Sequence, residues 1–328
     1  MGRREERLRQ TEGSRRWKNG LADRGGGPDR RASRRAMLVA LGISGVFFVV
    51  EGVAGYLTNS LALLADAGHV LTDLGALLLA LMAFWAAARP PSDARTYGYH
   101  RLEVLAALAN GLAVWGVAAY IGLEGYRRLL APPQVMAVPM LAVAIAGLAG
   151  NVAAALVLRP SAQCSLNARG AFVHVTTDAV QSVGVVLAGA LMVAFGWYLA
   201  DPIISLLTAI LIAYSGSRVA YAAVHILLEG TPSHVNPSAL MRRMEAVPQV
   251  QMVHDLHTWT ITSGYHAMSA HVVVGSEATH DDEQLVLARL RDVAAREFGI
   301  THATIQLEHP GLLCQEAHAP ASTEQRPS

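Results

Sequence analysis

Six apolar stretches constrain this chain more than any other feature: about 37–57, 61–88, 103–123, 135–158, 171–195 and 202–227. Each is long enough for a membrane-spanning helix, which takes about 20 apolar residues. Gly42, Gly45, Gly52 and Gly55 suit close helix packing in lipid. The breaks are short: Thr58-Asn59-Ser60, Arg89-Pro90-Pro91, Ala131-Pro132-Pro133, Arg159-Pro160 and Asp201-Pro202. Proline there marks helix ends or first turns. Only 16% of residues are charged, against about 25% in a soluble domain. A single soluble globule is thereby excluded. The two cysteines, Cys164 and Cys314, are too few for a disulfide scaffold or a four-cysteine zinc site.

Charge is segregated. Residues 3–35 hold twelve Lys and Arg against five Asp and Glu, and read as a disordered basic arm beside anionic lipid. Residues 1–35 are thus set apart from a transmembrane domain at 36–228. Arg89, Arg95, Arg101, Arg159, Arg169 and Arg218 fall on the same side as the arm, so the positive-inside rule places both termini in the cytoplasm. Arg127 and Arg128 are the exceptions.

Beyond Glu229-Gly230-Thr231-Pro232 the pattern changes. Residues 237–247 read as an amphipathic helix, 250–262 and 266–275 as strands, 281–298 as a helix ended by Gly299, and 302–309 as a strand. This αββαβ order predicts a small α+β domain over 229–314, of the ferredoxin-like or metallochaperone-like kind. Residues 315–328 read as a disordered tail. Alternation puts His302, Thr304, Gln306 and Glu308 on one side of the last strand. It puts His254 with Leu256, and His257 opposite them, on the first strand.

Ionisable residues in a bilayer cost about 2.5–3.5 kcal/mol or more at mid-depth, so each needs a reason. The second span carries Asp66, His69 and Asp73; the fifth carries His174 and Asp178. His69/Asp73 and His174/Asp178 are both H-x-x-x-D, a spacing that sets imidazole and carboxylate on one helix face. An intrahelical hydrogen bond explains one such pair. The same motif in two spans points to a shared site of two nitrogens and two oxygens, a tetrahedral set suited to Zn²⁺. Two carboxylates would neutralise the dication and lessen its desolvation cost. Glu51 and Asp66 are candidates for relaying protons, pairing with arginine or facing water.

With these motifs the chain resembles the cation diffusion facilitators of the zinc type, the zinc, cadmium and cobalt efflux transporters. The resemblance covers about 37–312 and rests on several strings. They are Ser60-Leu61-Ala62-Leu63-Leu64-Ala65-Asp66-Ala67-Gly68-His69 to Asp73, Tyr97-Gly98-Tyr99-His100-Arg101-Leu102-Glu103, His174 to Asp178, and Leu228-Glu229-Gly230-Thr231-Pro232. Val253-His254-Asp255-Leu256-His257-Thr258-Trp259 and His302-Ala303-Thr304-Ile305-Gln306-Leu307-Glu308 complete the set. The resemblance implies a homodimeric, proton-coupled exporter of divalent metal, a secondary transporter rather than an enzyme; together with the short loops it points to a bacterial inner membrane, and an arm held beside anionic lipid argues against a nucleic-acid partner. The resemblance assigns His69, Asp73, His174 and Asp178 as transport ligands. It assigns His254, His271 and Glu308 as a cytoplasmic site for regulatory Zn²⁺, with His302 as a nearby extra candidate. Arg95 and Tyr99 stand where some members carry a further His-bearing site, and 159–170 contain no His, so no loop metal reservoir is expected. An exporter of Mn²⁺, Fe²⁺, Co²⁺ or Ni²⁺ and a non-transporting metal sensor are the alternatives. The absence of H-E-x-x-H argues against an intramembrane zinc protease.

Overall fold

The structure is a computed structural model that describes residues 28–87, 89–163 and 166–310. The expectations for 1–27, Cys164, Cys314 and the tail from 315 lie outside the described residues. Six long helices follow in order: α1 (Pro28–Thr58), α2 (Leu61–Ala87), α3 (Arg101–Leu130), α4 (Ala137–Ala162), α5 (Leu166–Phe195) and α6 (Ala200–Leu227). All six are apolar and long enough to cross a membrane. Helices are what such segments must form, because lipid offers no partner to a free backbone N–H or C=O. After them come α7 (Pro237–Glu245), β1 (Val250–Thr262), β2 (Tyr265–Val274), α8 (His280–Phe298) and β3 (His302–Glu308). This is the expected αββαβ order.

Two boundaries differ from the sequence reading. The first helix starts at Pro28, inside the segment read as a disordered arm, with its proline where the first-turn N–H would be unpaired anyway. Pro160 does not break its helix: α4 runs on to Ala162. In a last turn the missing N–H costs one hydrogen bond, and nothing beyond it has to be interrupted.

The chain divides into two units. The first comprises the described residues through Leu74 together with Val114–Tyr214. The turn between α1 and α2 fixes much of it. Asn59 adopts a left-handed conformation (φ 57°), and the N–H of Ser60 returns to the Gly55 carbonyl at 3.0 Å, closing α1. Asp201, fully buried on the first turn of α6, then receives the start of α2. Its carboxylate accepts from the Ser60 hydroxyl at 2.5 Å, the Leu61 N–H at 2.8 Å and the Ala62 N–H at 3.2 Å. Helix N-terminal N–H groups lack intrahelical partners and carry partial positive charge, so a buried carboxylate is stable here. Arg128, an exception to the charge rule, is neutralised by Glu124 at 3.0 Å and donates to the Asn59 carbonyl at 2.7 Å. In α4, glycines let α1 approach: a Cβ at Gly147 would overlap the Glu51 carboxylate, and one at Gly150 the Phe47 ring.

The second unit comprises Gly75–Ala113 and the described residues from Ser215. Its sheet has the order β1-β2-β3, with β1 and β2 antiparallel and β2 and β3 parallel. Gly264 (φ 72°) turns the hairpin, and α8 makes the crossover to β3. A capping box between Thr279 and Asp282 opens α8, and left-handed Gly299 ends it. Leu240 and Met244 of α7, Val286, Leu290 and Ala294 of α8, and Val253, Met268, Ala270, Val272 and Val274 of the strands make one core. The first turn of α3 meets this domain: Glu103 accepts hydrogen bonds from the hydroxyls of Thr262 and Ser263 at the hairpin end, and Arg101 pairs with Glu229 at 3.0 Å.

Asp201→Ala is expected to lower stability by about 3 kcal/mol, since hydrogen bonds to a charged acceptor contribute roughly 1.5–3 kcal/mol each and are not additive. The midpoint of thermal unfolding of the detergent-solubilised protein reads this; Asp201→Asn should lose less.

Candidate metal sites

α2 and α5 each present an H-x-x-x-D face, and the two faces meet. His69 Nε2 lies 3.6 Å from Asp73 Oδ2 and 3.4 Å from Asp178 Oδ1. His174 Nε2 lies 3.3 Å from Asp73 Oδ2 and 3.7 Å from Asp178 Oδ2. The imidazoles stand edge to face, 6.2 Å between centroids. The four side chains therefore form a ring in which imidazole and carboxylate alternate. A tetrahedral zinc ion with bonds of about 2.0 Å sets its donor atoms about 3.3 Å apart. The four His–Asp edges are thus within a few tenths of an ångström of that spacing.

The ring is asymmetric. The side chains of His69 and Asp178 are 12% and 9% exposed, those of Asp73 and His174 37% and 50%. Behind the buried pair lies a second polar group. Asp66 Oδ2 accepts from the Ser182 hydroxyl at 3.2 Å, and Ser182 accepts from Asn151 at 3.0 Å. Asp66 and Glu51 are both buried. The sequence reading missed Ser182 and Asn151, whose residue types carry no signal of their own within an apolar span.

In the sheet, His254 Nε2 lies 3.0 Å from Glu308 Oε2, and His271 Nδ1 lies 2.8 Å from Glu308 Oε1. One ligand atom from each of the three falls within 4.8 Å of the others. Register explains the meeting: His254 is opposite His271 across the antiparallel pair, and Val273, two residues on from His271, is opposite Glu308 in the parallel one. Burial works to raise the Glu308 carboxyl, but the His254 hydrogen bond and the two imidazoles outweigh it and hold the carboxyl below its ordinary value. The Nδ1 atoms of His254 and His271 are buried with no hydrogen bond; that of His271 is near Glu308 but out of line with it. Two imidazoles with orphaned ring nitrogens around a desolvated carboxylate suit a divalent zinc ion.

Two expectations for this domain need correction. His302 is not part of the cluster. It shares the face of Glu308 but sits at the other end of β3, about 20 Å away at roughly 3.3 Å per residue. There it meets Tyr97, whose hydroxyl is 3.4 Å from His302 Nε2, and the edge of Tyr265. Same-face alternation along a strand says nothing about distance along it. Leu256 does not share a side with His254 either. Asp255 is left-handed (φ 49°), and the register jumps between His254 and His257, opposite His271 and Ser269. This bulge turns Leu256 into the core and leaves His254 and His257 on the same face. It also brings in Asp255, given no role of its own in the sequence reading, at 2.9 Å from His257 and 4.0 Å from His271. Arg95 and Tyr99, which replace a further site of some relatives, form a cation–π pair at 4.9 Å.

Comparison with known proteins accords with this architecture. Residues 37–228 match the cation efflux transmembrane domain, and 232–310 the cytoplasmic domain of cation efflux proteins. The chain is 39% identical over 292 residues to a cadmium, cobalt and zinc/H(+)-K(+) antiporter of Bacillus subtilis, covering 87% of this chain and 94% of that one. It is 39% identical over 288 residues to the metal cation efflux system protein CzcD of Cupriavidus metallidurans (88% and 90% covered). To the zinc transporter ZitB of Escherichia coli it is 38% identical over 295 residues (89% and 91%). Among solved structures, the metal-bound C-terminal domain of the CzcD transporter shares 39% identity over 23% of this chain and 99% of that one, with a TM-score of 0.21. The chain is an integral membrane transporter and belongs to the cation efflux (cation diffusion facilitator) family.

Proposed function

We propose that this protein exports zinc, and also cadmium or cobalt, from the cytosol in exchange for protons, by alternating access around His69, Asp73, His174 and Asp178. The observation that carries the reading is the alternating ring of two imidazoles and two carboxylates across α2 and α5. Its two negative charges balance a divalent cation, and its donor set is one that zinc accepts in four-coordinate geometry. The names of the relatives, which carry cadmium, cobalt and zinc, support the choice of cargo.

With both termini in the cytoplasm of a bacterial inner-membrane protein, α2 runs toward the cytosol and α5 away from it. Asp73 and His174, the more exposed members, then face the cytosol, and His69 and Asp178 face the far side. This supports an inward-facing form. Metal displaces protons from His69 and His174, because only the neutral imidazole binds it. Rocking to the outward form exposes the ring to a more acidic medium, where the imidazoles take protons and the metal leaves. The cycle runs on the difference in affinity of the two forms for proton and metal.

The cytoplasmic domain pairs two copies of the chain, and His254, His271 and Glu308 hold a regulatory zinc ion. When bound, that ion supplies a fixed positive charge that draws β1, β2 and β3 together. The hairpin end of β1 and β2 is joined to α3 through Glu103, which gives the sheet a mechanical path to the membrane helices.

In proteoliposomes with a luminal zinc dye, an imposed pH difference should drive zinc flux, and Asp178→Ala should reduce it by roughly 100-fold, the order expected for a lost ligand. No zinc flux at any pH difference in folded protein would overturn the reading. His254→Ala with His271→Ala should remove one zinc per chain in equilibrium binding and flatten the dependence of flux on cytosolic-side zinc. Unchanged stoichiometry would rule out the sheet site.

A further inference from the structure

One helical turn beyond the metal ring, on its buried side, four helices contribute to a second polar cluster. Asp66 is three residues before His69 on α2, and Ser182 is four residues after Asp178 on α5. Both are therefore stacked on the ring's own faces, about 5 Å further along each helix. Ser182 donates to Asp66, and Asn151 of α4 donates to Ser182. One turn before Asn151, Gly147 leaves the space that the Glu51 carboxylate of α1 occupies. Next to these residues a Cβ added at Gly52 would fall 3.8 Å from that of Ala67, within van der Waals contact. The cluster is thus a closed polar group of α1, α2, α4 and α5 within an apolar bundle.

Its composition is unbalanced. Glu51 is 3% exposed and Asp66 4%. The Glu51 carboxyl has no hydrogen bond to any described residue, and the charged groups that act on it are Asp66 and Asp178. On Asp66 act His69 and Asp178. From α4 come only Gly147 and Asn151, and no Lys or Arg of the described residues is part of the cluster. On the same turn of α5 as Ser182, the Gln181 carbonyl oxygen Oε1 is buried and without a donor. Two carboxyls that repel each other, one of them with no donor of its own, cannot both stay ionised and empty-handed in so apolar a place. Either a proton or a cation must join them. A metal dication already has a better-formed site one turn away, with imidazole nitrogens that this cluster lacks.

We propose that Glu51 and Asp66 form a second proton-carrying site of the antiport, beside the imidazoles of the metal ring. The inference rests on the reading of this protein as a proton-coupled exporter. When the ring is empty the pair holds a proton as one carboxylic acid and one carboxylate. When metal fills the ring, its positive charge a turn away lowers the proton's hold, and the acid releases H⁺ to water while both oxygens of the pair become anionic. This competition through space adds to the direct competition of proton and metal for the imidazole nitrogens of the ring. The wall of Ser182 and Asn151 orients Asp66 for this exchange and keeps the pair from binding metal directly. The ring imidazoles choose the cargo and carry the first tie to pH; the carboxyl pair adds a further proton to each cycle.

The test uses the full-length protein in proteoliposomes with Glu51→Gln and, separately, Asp66→Asn. Three quantities are read: equilibrium zinc binding in detergent, zinc–zinc exchange at equal pH on both sides, and the zinc gradient that a pH difference sustains. Exchange needs the ring and the rocking motion but no net proton movement. The expected result is binding and exchange within about threefold of the parent, with the zinc gradient that a one-unit pH difference sustains reduced by about tenfold, as one proton fewer per zinc requires. Should Glu51→Gln fail to assemble, Asp66→Asn carries the same comparison. An undiminished zinc gradient in both variants would overturn the proposal. So would equal loss of exchange and of the gradient in folded variants, which would make the pair structural. A parent protein with no zinc flux at all would instead sink the transport reading itself.

Discussion

An acid in lipid must be neutralised, and the contact of two carboxylates with two imidazoles across α2 and α5 is how this bundle meets that condition at its centre. Other features of the first unit serve that contact. Asp201 holds the first turn of α2 and so sets where His69 and Asp73 fall along it. Gly147 and Gly150 admit α1 against α4, and α4 packs along α5, which carries His174 and Asp178. The ring is closed on the side of His69 and Asp178 and open on that of Asp73 and His174.

The sheet of the second unit repeats the pairing of carboxylate with imidazole. Glu308 is buried between His254 and His271, and the sheet register makes the triad. Its hairpin end is bound to α3 by Glu103, and Tyr97 of the loop before α3 reaches His302 at the start of β3. The string from Tyr97 to Glu103, one of those that carried the family resemblance, therefore supplies contact residues for the sheet. That gives the string a structural reason: it joins the hairpin end of β1 and β2 to the first turn of α3.

Much of this was legible before any coordinates. Span length and the paired H-x-x-x-D motifs foretold the helices and which faces would converge, because helical spacing and the cost of charge in lipid are local and strong. The αββαβ order was legible from the alternating and helical apolar spacings, which are local as well. What escaped depends on partners distant in sequence. Asp201 reads as an ordinary first-turn residue, and only the fold shows it capping a helix 140 positions away. The bulge at Asp255 has no glycine to announce it, and it reverses the side of Leu256. His302 shares a face with Glu308, yet the length of the strand separates them. Pro160 looked like a stop, but lies where a helix can lose one hydrogen bond and still run on.

The central claim is that zinc sits among His69, Asp73, His174 and Asp178. X-ray absorption at the zinc edge tests it most directly, on full-length protein carrying Glu308→Gln so that the sheet site is silent. The account predicts four nitrogen or oxygen neighbours at about 2.0 Å with the outer-shell scattering of two imidazoles. That signal should disappear with bound zinc in the His69→Ala and His174→Ala double variant. An unchanged spectrum and unchanged zinc content in that variant would contradict the account, and so would a shell without imidazole in the parent.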